Sequence, residues 1–246
     1  MNGTATIHLR RIRLFVLAAS VVSILGIFVV SLHGQGDMQQ RMAELKESMA
    51  KNKQALAQYT WTEQVTISLK GDVKKVQHYQ VRMGPDGKPQ KTSLDQPQAQ
   101  QDSGARGGRL KQRIVAKKKE EYEDYAEQMK ALAQQYIPPD KDAIQAAYAK
   151  GNVSFTPGAA GPNEIKIAIK DYFKQGDAMT ILFNKEQKQI SSITINSYMD
   201  DPTDAMNLTV HFSSLPDGTS HVSGATIDGV KKQLSIATLN SDYRRL

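Results

Sequence analysis

The sequence has no cysteine, so thiol nucleophiles, thiolate metal centres and disulfides are excluded. An exported chain without disulfides must be held by its core, which suits a bacterial envelope protein. A cysteine-free chain also has no lipobox. There is no HExxH and no GxSxG, so zinc-peptidase and serine-hydrolase signatures are missing. Asp200, Asp201 and Asp204 lack the alternating ligands, central glycine and distal glutamate of a Ca²⁺ loop, and read as a capped, solvated turn. His211 and His221 fall on neighbouring expected strands without a third ligand at metal spacing. No internal repeat is visible, and nothing calls for a cofactor.

Acidic residues are absent from positions 1–36, whereas Arg10, Arg11 and Arg13 lie there. Three of the 32 basic residues are thus N-terminal, and the remainder carries 29 against 25 acidic ones. So small an excess does not require nucleic acid as a partner. Directly after the arginines, Leu14 to Leu32 runs for 19 residues without a charge. As a helix this span would be ~28 Å long, close to the hydrocarbon thickness of a bilayer. Arginines on its leading side place the N-terminus in the cytoplasm and everything beyond Gly34 outside. Residues 1–36 therefore read as a basic tip with a membrane anchor or a signal segment. The length favours an anchor, but a cleaved signal remains open, giving an inner-membrane-anchored, periplasmic or secreted protein.

Residues 37–246 read as one extracytoplasmic domain. A helix is expected over 37–58, where Met38, Met42, Leu45, Met49 and Leu56 form one stripe. From Tyr59 the period changes to two. Tyr59, Trp61, Glu63, Val65 and Ile67 share one face of a strand whose other face carries Thr60, Thr62, Gln64 and Thr66. Gly84-Pro85-Asp86-Gly87 is turn chemistry, so strands fill 59–94. The polar stretch 95–108 reads as a mobile loop. Helices follow over 109–150, broken at Pro138-Pro139 and ended by Gly151. A strand meander then occupies 152–246, its alternation plain at Ile181 and Phe183 and at Val210 and Phe212. The fold class is α+β, mainly antiparallel β: a curved open sheet, or half-barrel, covered by about three helices.

This order of elements, with Leu56-Ala57-Gln58-Tyr59-Thr60-Trp61-Thr62-Glu63 at the passage from first helix to first strand, resembles the bacterial outer-membrane lipoprotein carrier superfamily. The resemblance implies a half-barrel plugged by helices, with acyl chains held in its concave face. The Arg-Pro strand motif of the carriers is absent here. Tyr59, Trp61, Gly84 to Thr92, Leu215-Pro216-Asp217-Gly218 and Asn240-Ser241-Asp242-Tyr243 also resemble uncharacterised exported bacterial proteins.

The functional expectation is a non-enzymatic envelope protein that binds a lipid, a lipoprotein or another apolar ligand. Tyr59, Trp61, Val65, Ile67, Ile181, Phe183, Val210 and Phe212 would line the site. Glu63, a carboxylate on an apolar face, would either orient a head group or pair with a lysine. The alternatives are a membrane-tethered interaction or sensor module with an envelope protein partner, and an envelope hydrolase. Arg106 to Lys119 form a basic run, which either pairs with Glu120 to Asp124 along a solvated helix or touches anionic head groups.

Overall fold

A computed structural model describes residues 50–95 and 109–246. The expected membrane segment Leu14–Leu32 with its arginines, the methionine stripe and most of the 95–108 loop lie outside the described residues. Among the described residues no helix is long and apolar enough to cross a membrane.

The described part of the first helix, α1, covers 50–56. It is followed by β1 (Tyr59–Leu69), β2 (Asp72–Met83) and β3 (Pro89–Ser93). The helices α2 (Arg109–Ala133) and α3 (Lys141–Ala149) come next. Seven strands complete the chain: β4 (Val153–Pro157), β5 (Glu164–Lys170), β6 (Ala178–Asn184), β7 (Gln189–Tyr198), β8 (Ala205–Ser214), β9 (Ser220–Gly229) and β10 (Leu234–Arg245).

All ten strands form one open antiparallel sheet in the order β3-β2-β1-β10-β9-β8-β7-β6-β5-β4. It is two meanders fastened together by β1 and β10, the first and last strands. The chain leaves the first meander at one edge and enters the second at the opposite edge. Its connection must therefore cross the sheet, which at ~4.8 Å per strand is roughly 40 Å wide. Helix α2 has 25 residues, about 37 Å of helix, of which the C-terminal half lies on the sheet.

Tyr125, Met129 and Ala133 recur at helical spacing and are buried, as is Tyr136 just beyond the helix, so the C-terminal half of α2 carries the contact stripe. Gly229 lets the helix come close: a Cβ there would lie 2.4 Å from Tyr125 Cε1. Two tyrosines fix the helix to strand ends. The Tyr125 hydroxyl donates to Asp204 at 2.5 Å, and the Tyr136 hydroxyl donates to Asp177 at 2.6 Å. Asp177 also accepts the backbone N–H groups of Tyr172, Phe173 and Lys174, closing the β5–β6 turn. Asp140 caps α3 by accepting Ala143 N–H at 2.8 Å, and Ile144 and Ala147 are the buried face of that helix. The isoleucines of β5 and β7, with Met179, Ile181 and Phe183 of β6 and Met206, Leu208, Val210 and Phe212 of β8, form one core beneath these helices.

Candidate functional site: a buried polar cluster where two strands part

Strands β9 and β10 pair only as far as Gly224 and Leu239. Beyond that point β10 continues along β1 to Arg245, while β9 departs. Side chains bridge the gap. Asn240 Nδ2 donates to Val222 O at 2.9 Å, and the Tyr243 hydroxyl donates to the same carbonyl at 3.2 Å. The His221 ring packs on Tyr243 with centroids 4.2 Å apart. Asn52 of α1 holds Ser220 at the head of β9 by two hydrogen bonds.

A β-bulge decides which side chain faces Trp61. Thr60 pairs with Arg244 and Thr62 with Ser241, so both Asp242 and Tyr243 stand opposite Trp61. Asp242 absorbs the extra residue in the left-handed region, at φ 53°. Tyr243, rather than the aspartate, is thereby brought onto the indole, with centroids 5.5 Å apart and planes 16° from parallel.

Two positions along β1, Glu63 stands opposite Asn240 and is 1% exposed. Its carboxylate is met by the ammonium of Lys91, which reaches inward from β3. Burial raises the Glu63 pKa above the ordinary carboxylate value, and the Lys91 charge opposes that shift. Tyr243 is raised as well, first by burial and then by the charge of Glu63. Burial lowers the pKa of His221, which favours a neutral ring.

The cluster leaves two polar atoms without a hydrogen-bond partner among the described residues. They are the indole Nε1 of Trp61, a donor, and Oδ1 of Asn240, an acceptor. Trp61 is 2% exposed and Asn240 is 6% exposed. An unmade hydrogen bond at such a site costs about 1–3 kcal/mol per group. The open donor and the open acceptor belong to neighbouring positions of the same face, since Asn240 stands opposite Glu63, two residues along β1 from Trp61.

The residues expected to line a ligand site separate into two sets. Trp61 and Glu63 belong to the polar cluster. Tyr59 lies beside it, and its hydroxyl donates to Asp217 in the β8–β9 turn at 2.7 Å. That bond helps to hold the Asp217 carboxyl down at about 2. Val65, Ile181, Phe183, Val210 and Phe212 are side chains of the buried core, and Ile67 packs on its margin. Lys91, His221, Asn240 and Tyr243 were not singled out as ligand contacts from sequence. Of these, only Lys91 had a sequence signal, because an unpaired carboxylate at Glu63 demands a cation. His211 stands opposite Gly224 and His221 opposite Ser213, so the two histidines are not cross-strand partners. Among the described residues no cluster of histidines and carboxylates is arranged to hold a metal.

No protein-family model matches the sequence, and no curated protein matches it. Among solved structures the chain is similar to a DUF1329 family protein from Desulfovibrio piger, at 10% identity and a TM-score of 0.34. The match covers 80% of this chain and 89% of that one, and at this score it carries no weight in assigning a function.

Proposed function

We propose that the chain is a non-enzymatic binding protein of the bacterial cell envelope that takes an amphipathic, lipid-like ligand on the helix-covered face of its sheet. The observation that carries the reading is the pair of buried, unpartnered polar atoms at Trp61 and Asn240. A hydroxyl or amide on the ligand would accept from the indole and donate to the asparagine oxygen. The Glu63–Lys91 pair neutralises itself, so the site favours an uncharged or zwitterionic head over a bare anion. Val65 on the same strand is filled core, so an acyl chain would run past Ile67, which packs on the core's margin. Access requires the cover over Trp61 to shift, since its ring is almost fully buried and stacked on Tyr243.

Trp61 is the only tryptophan in the chain, so its fluorescence reports on the site alone. The full chain is titrated with a monoacylglycerol, and lipid extracted from the purified protein is identified by mass spectrometry. The reading expects a saturable change in emission and a co-purifying lipid. Asn240→Leu removes one of the two hydrogen bonds and should weaken binding about tenfold. No emission change with any acyl probe, together with no extractable lipid, overturns the proposal.

A further inference from the structure

Helix α2 docks through only half of its length. From residue 113 to residue 121 every position is exposed, more than two turns with no face against the sheet. Ile114 and Val115 lie in that stretch, 50% and 60% exposed. Both are β-branched, a poor choice for a solvated helix whose stability must come from propensity alone. Arg113, Lys117, Lys118 and Lys119 surround them, and the sequence carries no acidic residue from 103 to 119. Lys119 lies 3.7 Å from Glu123, but no ion pair among the described residues engages Arg113, Lys117 or Lys118. Acidic residues begin only at the end of the exposed stretch, with Glu120 and Glu121, so its cations outnumber its carboxylates four to two. There Glu121 pairs with Lys232 at 2.7 Å and also feels the charges of Lys117 and Lys118.

We propose that the N-terminal half of α2 is a membrane-surface arm that lies on an anionic bilayer. Ile114 and Val115 enter the head-group boundary, and the four cations face the lipid phosphates. A helix carrying aliphatic residues among lysines, with little net hydrophobicity, has the composition of an interfacial segment. Exposed β-branched aliphatics at its centre favour a bilayer over nucleic acid, whose backbone would reward the charge but not Ile114 or Val115. The docked half supplies a rigid handle, because Tyr125 within it and Tyr136 just beyond its end are fixed by buried hydrogen bonds. The arm is separate from the Trp61 cluster, so neither proposal depends on the other.

The absence of cysteine makes the test direct, since Val115→Cys introduces the only thiol. An environment-sensitive nitrobenzoxadiazole label is attached there, with Gln145→Cys on the exposed face of α3 as the control site. The full chain is presented to vesicles of phosphatidylcholine and to vesicles mixed with phosphatidylglycerol. The arm predicts a blue shift at position 115 with the anionic vesicles and none at 145. Each cation near such a surface multiplies partitioning by about fivefold. The triple change Lys117→Gln, Lys118→Gln and Lys119→Gln should therefore lower it about a hundredfold. Added salt should weaken it in the same direction. An equal shift on neutral vesicles, no shift on either, or binding to duplex DNA as tight as to the anionic vesicles would overturn the proposal.

Discussion

Asn52 and Ser220 are joined as two strand residues would be: Asn52 Nδ2 donates to Ser220 O at 3.0 Å, and Ser220 N donates to Asn52 Oδ1 at 2.8 Å. A side-chain amide thus takes the place of a missing ladder partner at the head of β9. Asn52→Ala removes both bonds and leaves the Ser220 backbone to find water. The expected loss is about 1–3 kcal/mol in chemical denaturation. Amide exchange at Ser220 should accelerate, while that at Ile193 in the core stays slow.

The Glu63–Lys91 pair should behave asymmetrically. Lys91→Met leaves a buried carboxylate without its cation and should cost about 3–5 kcal/mol at neutral pH. Combining it with Glu63→Gln should recover most of that loss, because an apolar and a neutral polar group replace two charges. A double-mutant cycle by urea denaturation measures the coupling. If the two losses simply add, the pair is not coupled as described.

Glu63 and His221 should bend the pH–stability curve in opposite senses. The native pKa of Glu63 is raised, so the folded state binds more protons than the unfolded state above 4.5. Stability contributed by Glu63 therefore falls as pH rises from 4.5 through its native pKa. The native pKa of His221 is lowered, so below the ordinary value of 6.5 the unfolded state binds more protons. Its contribution is complete above 6.5 and is lost as pH falls toward the native value. Glu63→Gln should remove the first slope and His221→Gln the second, each visible as a change in the pH dependence of Tm.

Gly229 sets the approach of α2. Gly229→Ala would place its Cβ 2.4 Å from Tyr125 Cε1 and 2.7 Å from Met129 Sδ, so the Tyr125 ring, the Met129 side chain or the helix that carries them must shift. Overpacking of this kind costs about 1–3 kcal/mol. The same displacement should break the Tyr125–Asp204 hydrogen bond. Adding Tyr125→Phe to Gly229→Ala should then cost less than Tyr125→Phe costs alone.

Much of the sheet was legible because its period is plain. β1, β2 and β3 fall within the strands expected over 59–94. α2 and α3 fall within the helical region 109–150, with Asp140 as the cap of α3. Seven strands follow where a strand meander was expected over 152–246. Alternation also put Glu63 on the buried face of β1. It could not say which lysine would meet that carboxylate, because Lys91 arrives through the register of a third strand. Nor does alternation reveal the bulge at Asp242, which moves Tyr243 onto Trp61 by a single left-handed residue. Apart from Glu63, the residues expected to line a ligand site were chosen by hydrophobic alternation. Hydrophobicity does not distinguish a wall that faces a guest from one that faces a helix, and α2 and α3 occupy the face above Ile181 and Val210.

The pairing of β1 with β10 joins positions up to 186 residues apart in sequence, as at Tyr59 and Arg245. A chain made from its N-terminus would hold two separate three- and six-stranded ribbons until the dozen residues of β10 arrive to act as a keystone. Contacts so distant in sequence slow assembly and leave two raw strand edges waiting in the interval. Losing β10 would therefore divide the protein through its middle rather than trim its rim.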